Sequence, residues 1–149
     1  MSPEGDEILK ISAARLGSTI MPLLSEVYAQ SAVGLTNFML ALVAQEYERG
    51  ADLRVNENID IREVFAELTP LVVDNPLKAK LAVAARGKDV SLKISALNAN
   101  NYELRRLLTE LHVHVEGLDG PKARAAEKRI WLLLRAIAAR RVVTLGGAQ

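Results

Sequence analysis

Leu97, Leu104, Leu107, Leu108, Leu111 and Val115 recur at three-, four- and seven-residue steps, a spacing that suits only one kind of secondary structure. At 100° per residue they fall within about 60° of one direction, so the stretch is an amphipathic helix with one face turned to a core. As a strand, the same side chains would divide between two faces, because the period there is two. Composition points the same way. Half of the 149 residues are hydrophobic but only 4% are aromatic, so the core is Leu, Ala, Val and Ile, where an all-β fold would want more Tyr, Phe, Trp and Thr. The expected architecture is an all-α, single-domain bundle of five or six mostly antiparallel helices over residues 1–149, with flexible ends at about 1–4 and 145–149.

The helix ends can be read from local chemistry. Ser2 before Pro3 resembles a cap followed by proline at the first helical position, and Pro22 predicts a kink or break further on. A second helix is expected from about Glu26 to Arg49, stopped by Gly50, with Ala51–Ile59 as a connection. Asp60 and Glu63 have capping-box spacing and open a third helix to about Leu68, before Pro70. Asn75-Pro76 opens a fourth, which ends near Arg86-Gly87. Asp89 is read as the cap of a fifth segment, Val90–Glu116, either one helix or two broken at Asn98–Asn101. The loop Gly117–Pro121 leads into a last helix to about Val143.

Val27–Gln45 carries no charge over 19 residues, enough length to span a bilayer. Gln30, Ser31, Thr36, Asn37 and Gln45 make it only moderately apolar, so a helix buried inside the bundle, and no transmembrane segment, is the expectation. The acidic, polar N-terminus is unlike a secretory signal. With no cysteine, the chain suits the cytoplasm, and disulfides, zinc fingers, Fe–S clusters and thiol catalysis are excluded.

Net charge is +1, but it is unevenly placed. Residues 1–67 carry five basic and eleven acidic side chains, whereas residues 68–149 carry fourteen basic and seven acidic. After Pro121, seven bases face the single acid Glu127. Mutual attraction of the two halves, within a subunit or across a dimer, is the favoured reading. A basic helix for an acidic partner is the sharper one. No aromatics are interleaved with the bases for stacking, so no nucleic-acid partner is expected.

Candidate chemistry gathers in Glu110–Glu116, which holds both histidines. On the helix, His112 and His114 lie about 200° apart and cannot share a ligand. Asn101, Arg105, His112 and Glu116 fall on one margin of the core face and Glu110, Glu103 and His114 on the other. A polar line through the second helix, Gln30, Asn37, Gln45 and Glu48, suggests that Asn37 and Glu46 meet His112 and Arg105. The candidate ligand-binding set is therefore Asn37, Glu46, Asn101, Arg105, His112 and Glu116. The plainer reading of this line is a hydrogen-bond network that fixes helix register. Di-iron bundles use Glu-x-x-His on two helices, a spacing that Glu110-Leu-His112 and Glu46-Tyr-Glu48 both lack, so neither metal nor cofactor is expected. The serines lack an elbow motif and no glycine loop could cradle phosphate, so no catalytic residue is assigned. Trp131, with Arg135, marks a candidate interface, although a core position is preferred for the indole. Five successive apolar residues around it and the uncharged second helix exceed what one small bundle can bury, which favours a homodimer.

The stretch Ile20-Met-Pro-Leu through Arg49-Gly50 has Pro22 after the first helix, Asn37 in a small and apolar helix, and Gln45-Glu46 near its end. It resembles small helical bacterial proteins encoded near acyl-CoA dehydrogenases and aminoglycoside-phosphotransferase-like kinases, and the resemblance implies an accessory role without an activity of its own. The expected function is that of a non-enzymatic helical interaction or accessory protein, homodimeric or engaging a protein partner. The alternatives are a small-ligand binder or enzyme using the polar line, and an export-type chaperone presenting apolar helices.

Overall fold

The computed structural model describes residues 4–142, and five α-helices account for most of them. They are α1 (Gly5–Arg15), α2 (Val27–Leu68), α3 (Asn75–Arg86), α4 (Ile94–Glu116) and α5 (Pro121–Arg140). The all-α expectation holds. The Ser2–Pro3 cap, the extension of the last helix to Val143 and most of the flexible ends lie outside the described residues.

Three boundaries differ from expectation. The second and third expected helices are one helix of 42 residues, α2, which runs through Gly50, Ala51–Ile59 and the Asp60–Glu63 capping box. Gly50 is buried within it, so a helix-ending residue is overruled by its surroundings. Of the two readings of the fifth segment, the single helix is found: Asn98–Asn101 does not break α4, which is continuous over 23 residues. Asp89 is not its cap: Lys93 occupies that position. At α3 the cap is Asp74, one residue earlier than read, and its carboxylate accepts from the Leu77 N–H at 3.0 Å.

The chain falls into two units, one comprising Ala51–Val142 and the other the described residues before it. In the first, the C-terminal part of α2 joins α3, α4 and α5 in an up-down-up-down bundle. Ion pairs Glu67–Arg129, Asp60–Arg140 and Glu57–Arg141 set α2 and α5 antiparallel. Lys80–Glu110 and the Val73 N–H on His114 Nε2 do the same for α3 and α4. The core contains Ile61, Val64, Phe65, Leu81, Leu111 and Ile130, each fully buried. Every apolar residue that spacing assigns to the core face of α4 is buried, and Val113 opposite is exposed. The reversal between α4 and α5 turns at Gly120, whose φ of 101° is open to glycine and strained for other residues. Three acids of the acidic half, Glu57, Asp60 and Glu67, pair with arginines of the basic half inside this unit, in the sense the charge pattern suggested.

The other unit is a helical hairpin. After α1, a π-helical turn (Leu16–Ile20) and a 3-10 turn (Met21–Leu23) at Pro22 reverse the chain onto the N-terminal part of α2. Gly5 lies against the Tyr47 ring, Gly17 against the Asn37 amide and Gly34 against Met21, an antiparallel register. A methyl group on Gly5 would come within 2.7 Å of the Tyr47 ring, so a larger residue there would displace the ring tip.

The expected buried position of Val27–Gln45 is overturned. Only 6% of the most apolar 18-residue window of α2 is buried. With Leu35 at zero, exposed Phe38, Tyr28, Met39 and Val43 all fall within about 80° on one face. Ala44, Val33 and Asn37 occupy the opposite face, where α1 packs. Among the described residues of this unit, nothing packs on its outer face.

Candidate functional site

The polar line predicted along α4 is present, and its partner on α2 is Glu57. Glu57 is 2% exposed. Its Oε1 accepts from Arg105 Nε at 2.6 Å and from Asn101 Nδ2 at 2.9 Å, and its Oε2 accepts from Arg141 Nη2 at 2.7 Å and Nε at 2.9 Å. Asn101 Nδ2 also donates to Asn58 Oδ1 at 3.0 Å. Asn58 Nδ2 in turn donates to Asp89, which also accepts from Arg62 Nη2 at 2.9 Å and Asn100 Nδ2 at 3.0 Å. The chain of bonds ties α2, α4, the end of α5 and the segment after α3 together.

Burial acts to raise the Glu57 pKa, but hydrogen bonds from Arg105, Asn101 and Arg141 outweigh it and hold the carboxyl below its ordinary range. Asp89 follows the same pattern: burial raises, and Arg62, Asn100 and Asn58 together lower it further. Both carboxylates are therefore ionised at neutral pH, with their oxygens taken by fixed donors. Such groups neither take nor give a proton readily. They set helix register, because each donor satisfies a lone pair that would be costly to bury alone.

Of the six candidate ligand-binding residues, the structure brings Asn101 and Arg105 together on Glu57. His112 and Glu116 come together lower on α4, with His112 Nε2 and Glu116 Oε1 3.5 Å apart, within ion-pair range but not aligned for a hydrogen bond. Asn37 and Glu46 are described with the hairpin, where Asn37 packs at Gly17 and Glu46 is exposed. Within the Ala51–Val142 unit, the α2 residues that bond Asn101 and Arg105 are Glu57 and Asn58. These two were legible in principle: extending the 61, 64, 65, 68 apolar period one turn back lands on 57 and 58.

A cleft of about 190 Å³ beside this line is lined by Arg105, Thr109, His112 and the apolar Ile130, Leu134 and Ile137. It is smaller than the roughly 300 Å³ at which small-ligand pockets begin. A wider groove of about 430 Å³ runs along Val55, Ile59, Arg62 and Leu92, where Arg62 and Asp89 already pair.

Trp131 is not the core residue preferred from sequence. It is 51% exposed and meets the His112 ring edge to face, with centroids 5.4 Å apart. Arg135 is exposed one turn on. One turn before Trp131 stands Glu127, which the sequence marks only as the single acid among the bases after Pro121. Ligating atoms of His112, Glu116 and Glu127 all lie within 4.8 Å of one another.

The chain matches no protein-family model, no curated protein and no solved structure.

Proposed function

We propose that this is a helical interaction protein that acts as a homodimer, in which two copies of the hairpin α1 and the N-terminal part of α2 pack into an intermolecular four-helix bundle. The carrying observation is the exposed apolar face of α2, with Tyr28, Leu35, Phe38, Met39 and Val43 presented together. Among the described residues of the hairpin, only Asp6, Ala44 and Gly50 are buried. A layer of two helices lacks a core and requires a second layer, and a second copy supplies one of matching shape. The face is uncharged from Val27 to Gln45, so a two-fold pairing sets no like charges against each other there.

α2 is also long and apolar enough to cross a membrane by length and composition. The hairpin register favours protein over lipid. α1 runs antiparallel beside this stretch, with Gly5 at Tyr47 and Gly17 at Asn37, which lays Lys10 and Arg15 along its length. A charge near the bilayer centre costs about 2.5–3.5 kcal/mol on insertion scales. The accessory role implied by the resemblance of residues 20–50 fits a non-catalytic dimer.

Sedimentation equilibrium at micromolar concentration tests the reading. The wild-type chain is expected to be a dimer, and Leu35→Asp with Met39→Asp a monomer of unchanged helicity by circular dichroism. A monomeric wild type, a double variant that still dimerises, or flotation of the wild type with lipid vesicles overturns it.

A further inference from the structure

We propose that His112, Glu116 and Glu127 form a binding site for a divalent transition-metal ion of the Zn²⁺ type, spanning the α4–α5 hairpin. His112 and Glu116 stand one turn apart on α4, at the i,i+4 spacing that puts two side chains on one face. Glu127 reaches them from α5 because the turn at Gly120 returns the chain antiparallel. The three ligating atoms lie within 4.8 Å of one another. Tetrahedral zinc, with bonds of about 2.0–2.1 Å, draws its ligands to roughly 3.4 Å apart, so side-chain rotation alone has to close the gap. Glu116 is the half-exposed member and has that freedom.

A second observation singles out this cluster among the carboxylates of the surface. His112 Nε2 is buried and has no hydrogen-bond partner. A buried polar nitrogen without a partner is uncommon and calls for an explanation. Glu116 Oε1 at 3.5 Å is placed to share an ion with it. One imidazole and two carboxylates suit zinc and its neighbours better than Mg²⁺ or Ca²⁺, which prefer oxygen alone. Three protein ligands leave a fourth position open to water. The sequence argument against metal counted histidines and looked for Glu-x-x-His; the third ligand comes from another helix, where Glu127 is the single acid among seven bases.

Trp131, the chain's single tryptophan, touches His112 and so reports directly on the site. After chelator treatment, the full chain is titrated with ZnCl₂ and, separately, CoCl₂, followed by Trp131 emission and by calorimetry. One ion per chain is expected, with a saturable change in emission and a tetrahedral Co²⁺ absorption band. His112→Ala, Glu116→Gln and Glu127→Gln should each weaken binding by at least about ten-fold, the lower end of what even outer-shell changes cost a metal site. His114→Ala, whose ring accepts from the Val73 N–H on another side of α4, should leave binding unchanged. Circular dichroism of each variant separates loss of ligand from loss of fold, and Glu116→Gln, at an exposed position, is the variant least prone to unfold. No saturable binding, or binding that survives all three substitutions or is lost equally in His114→Ala, overturns the proposal.

Discussion

The two units of this chain solve the same problem in opposite ways. In Ala51–Val142, four helices enclose Ile61, Phe65, Leu111 and Ile130, and the buried polar residues Glu57, Asn58 and Asn101 are hydrogen-bonded. In the hairpin, two helices of comparable apolar content enclose almost nothing, and their aliphatic and aromatic side chains face outward. The difference is one of layer number rather than of residue type. Four helices surround a core, whereas two share only a line of contact. The closed unit buries its own apolar residues, and the open one leaves an apolar face uncovered.

The largest expected effect tests that contrast directly. Phe65→Ala, at a fully buried site, should destabilise the Ala51–Val142 unit by about 3–5 kcal/mol in urea unfolding. Phe38→Ala, on the open face, should change the stability of the dilute monomer by less than about 0.5 kcal/mol while weakening the dimer. Equal costs at the two sites would erase the distinction between the units.

A smaller effect is expected from the polar network. Glu57→Ala should cost about 1–3 kcal/mol, because it removes an acceptor from buried Asn101, while Arg105 and Arg141, whose side chains are 43% and 45% exposed, recover solvent. The same network predicts acid sensitivity. Glu57 and Asp89 have folded pKa values below those of the unfolded chain, where carboxyls titrate near about 4. The unfolded state therefore binds more protons in acid, and this stability is present above the unfolded value and lost as pH falls through the folded ones. Melting temperature should fall from pH 6 to pH 3, and more gently in Glu57→Gln with Asp89→Asn. Identical pH profiles would remove the network from the account of stability.

The smallest effect concerns the surface. Arg129→Ala breaks the pair with Glu67, in which both side chains are a third to a half exposed, and should cost less than about 1 kcal/mol. A larger loss would mean that charge pairing, rather than the core, holds α5 to α2.

How much could be read in advance depended on whether a residue's role was local. The core face of α4, the break at Pro22, the start of α3 and the loop before Pro121 were legible because spacing, proline and glycine act within a few residues. Two signals were legible but misassigned, and a third was left open. Gly50 read as a stop, Asp89 as a cap, and Asn98–Asn101 as a possible break. Each is recruited to a tertiary purpose instead: Gly50 is buried in α2, Asp89 gathers Asn58, Arg62 and Asn100, and Asn98 and Asn101 accept from Arg54 and donate to Glu57. Asparagine favours turns when its side chain has only its own backbone to bond, and that preference vanishes once a carboxylate on another helix is within reach.

The sequence by itself determined that this chain is helical, which residues of α4 face inward, and that its acidic half would be attracted to its basic half. Those properties follow from periodicity and net charge, which are summed along the chain. Only the tertiary structure decided that Glu57 meets Arg105, that Val27–Gln45 lies open instead of buried, and that Glu127 joins His112 and Glu116. Each of these depends on which helix lies opposite which, and at what register. A shift of one turn, about 5.4 Å, changes every partner without altering any local preference.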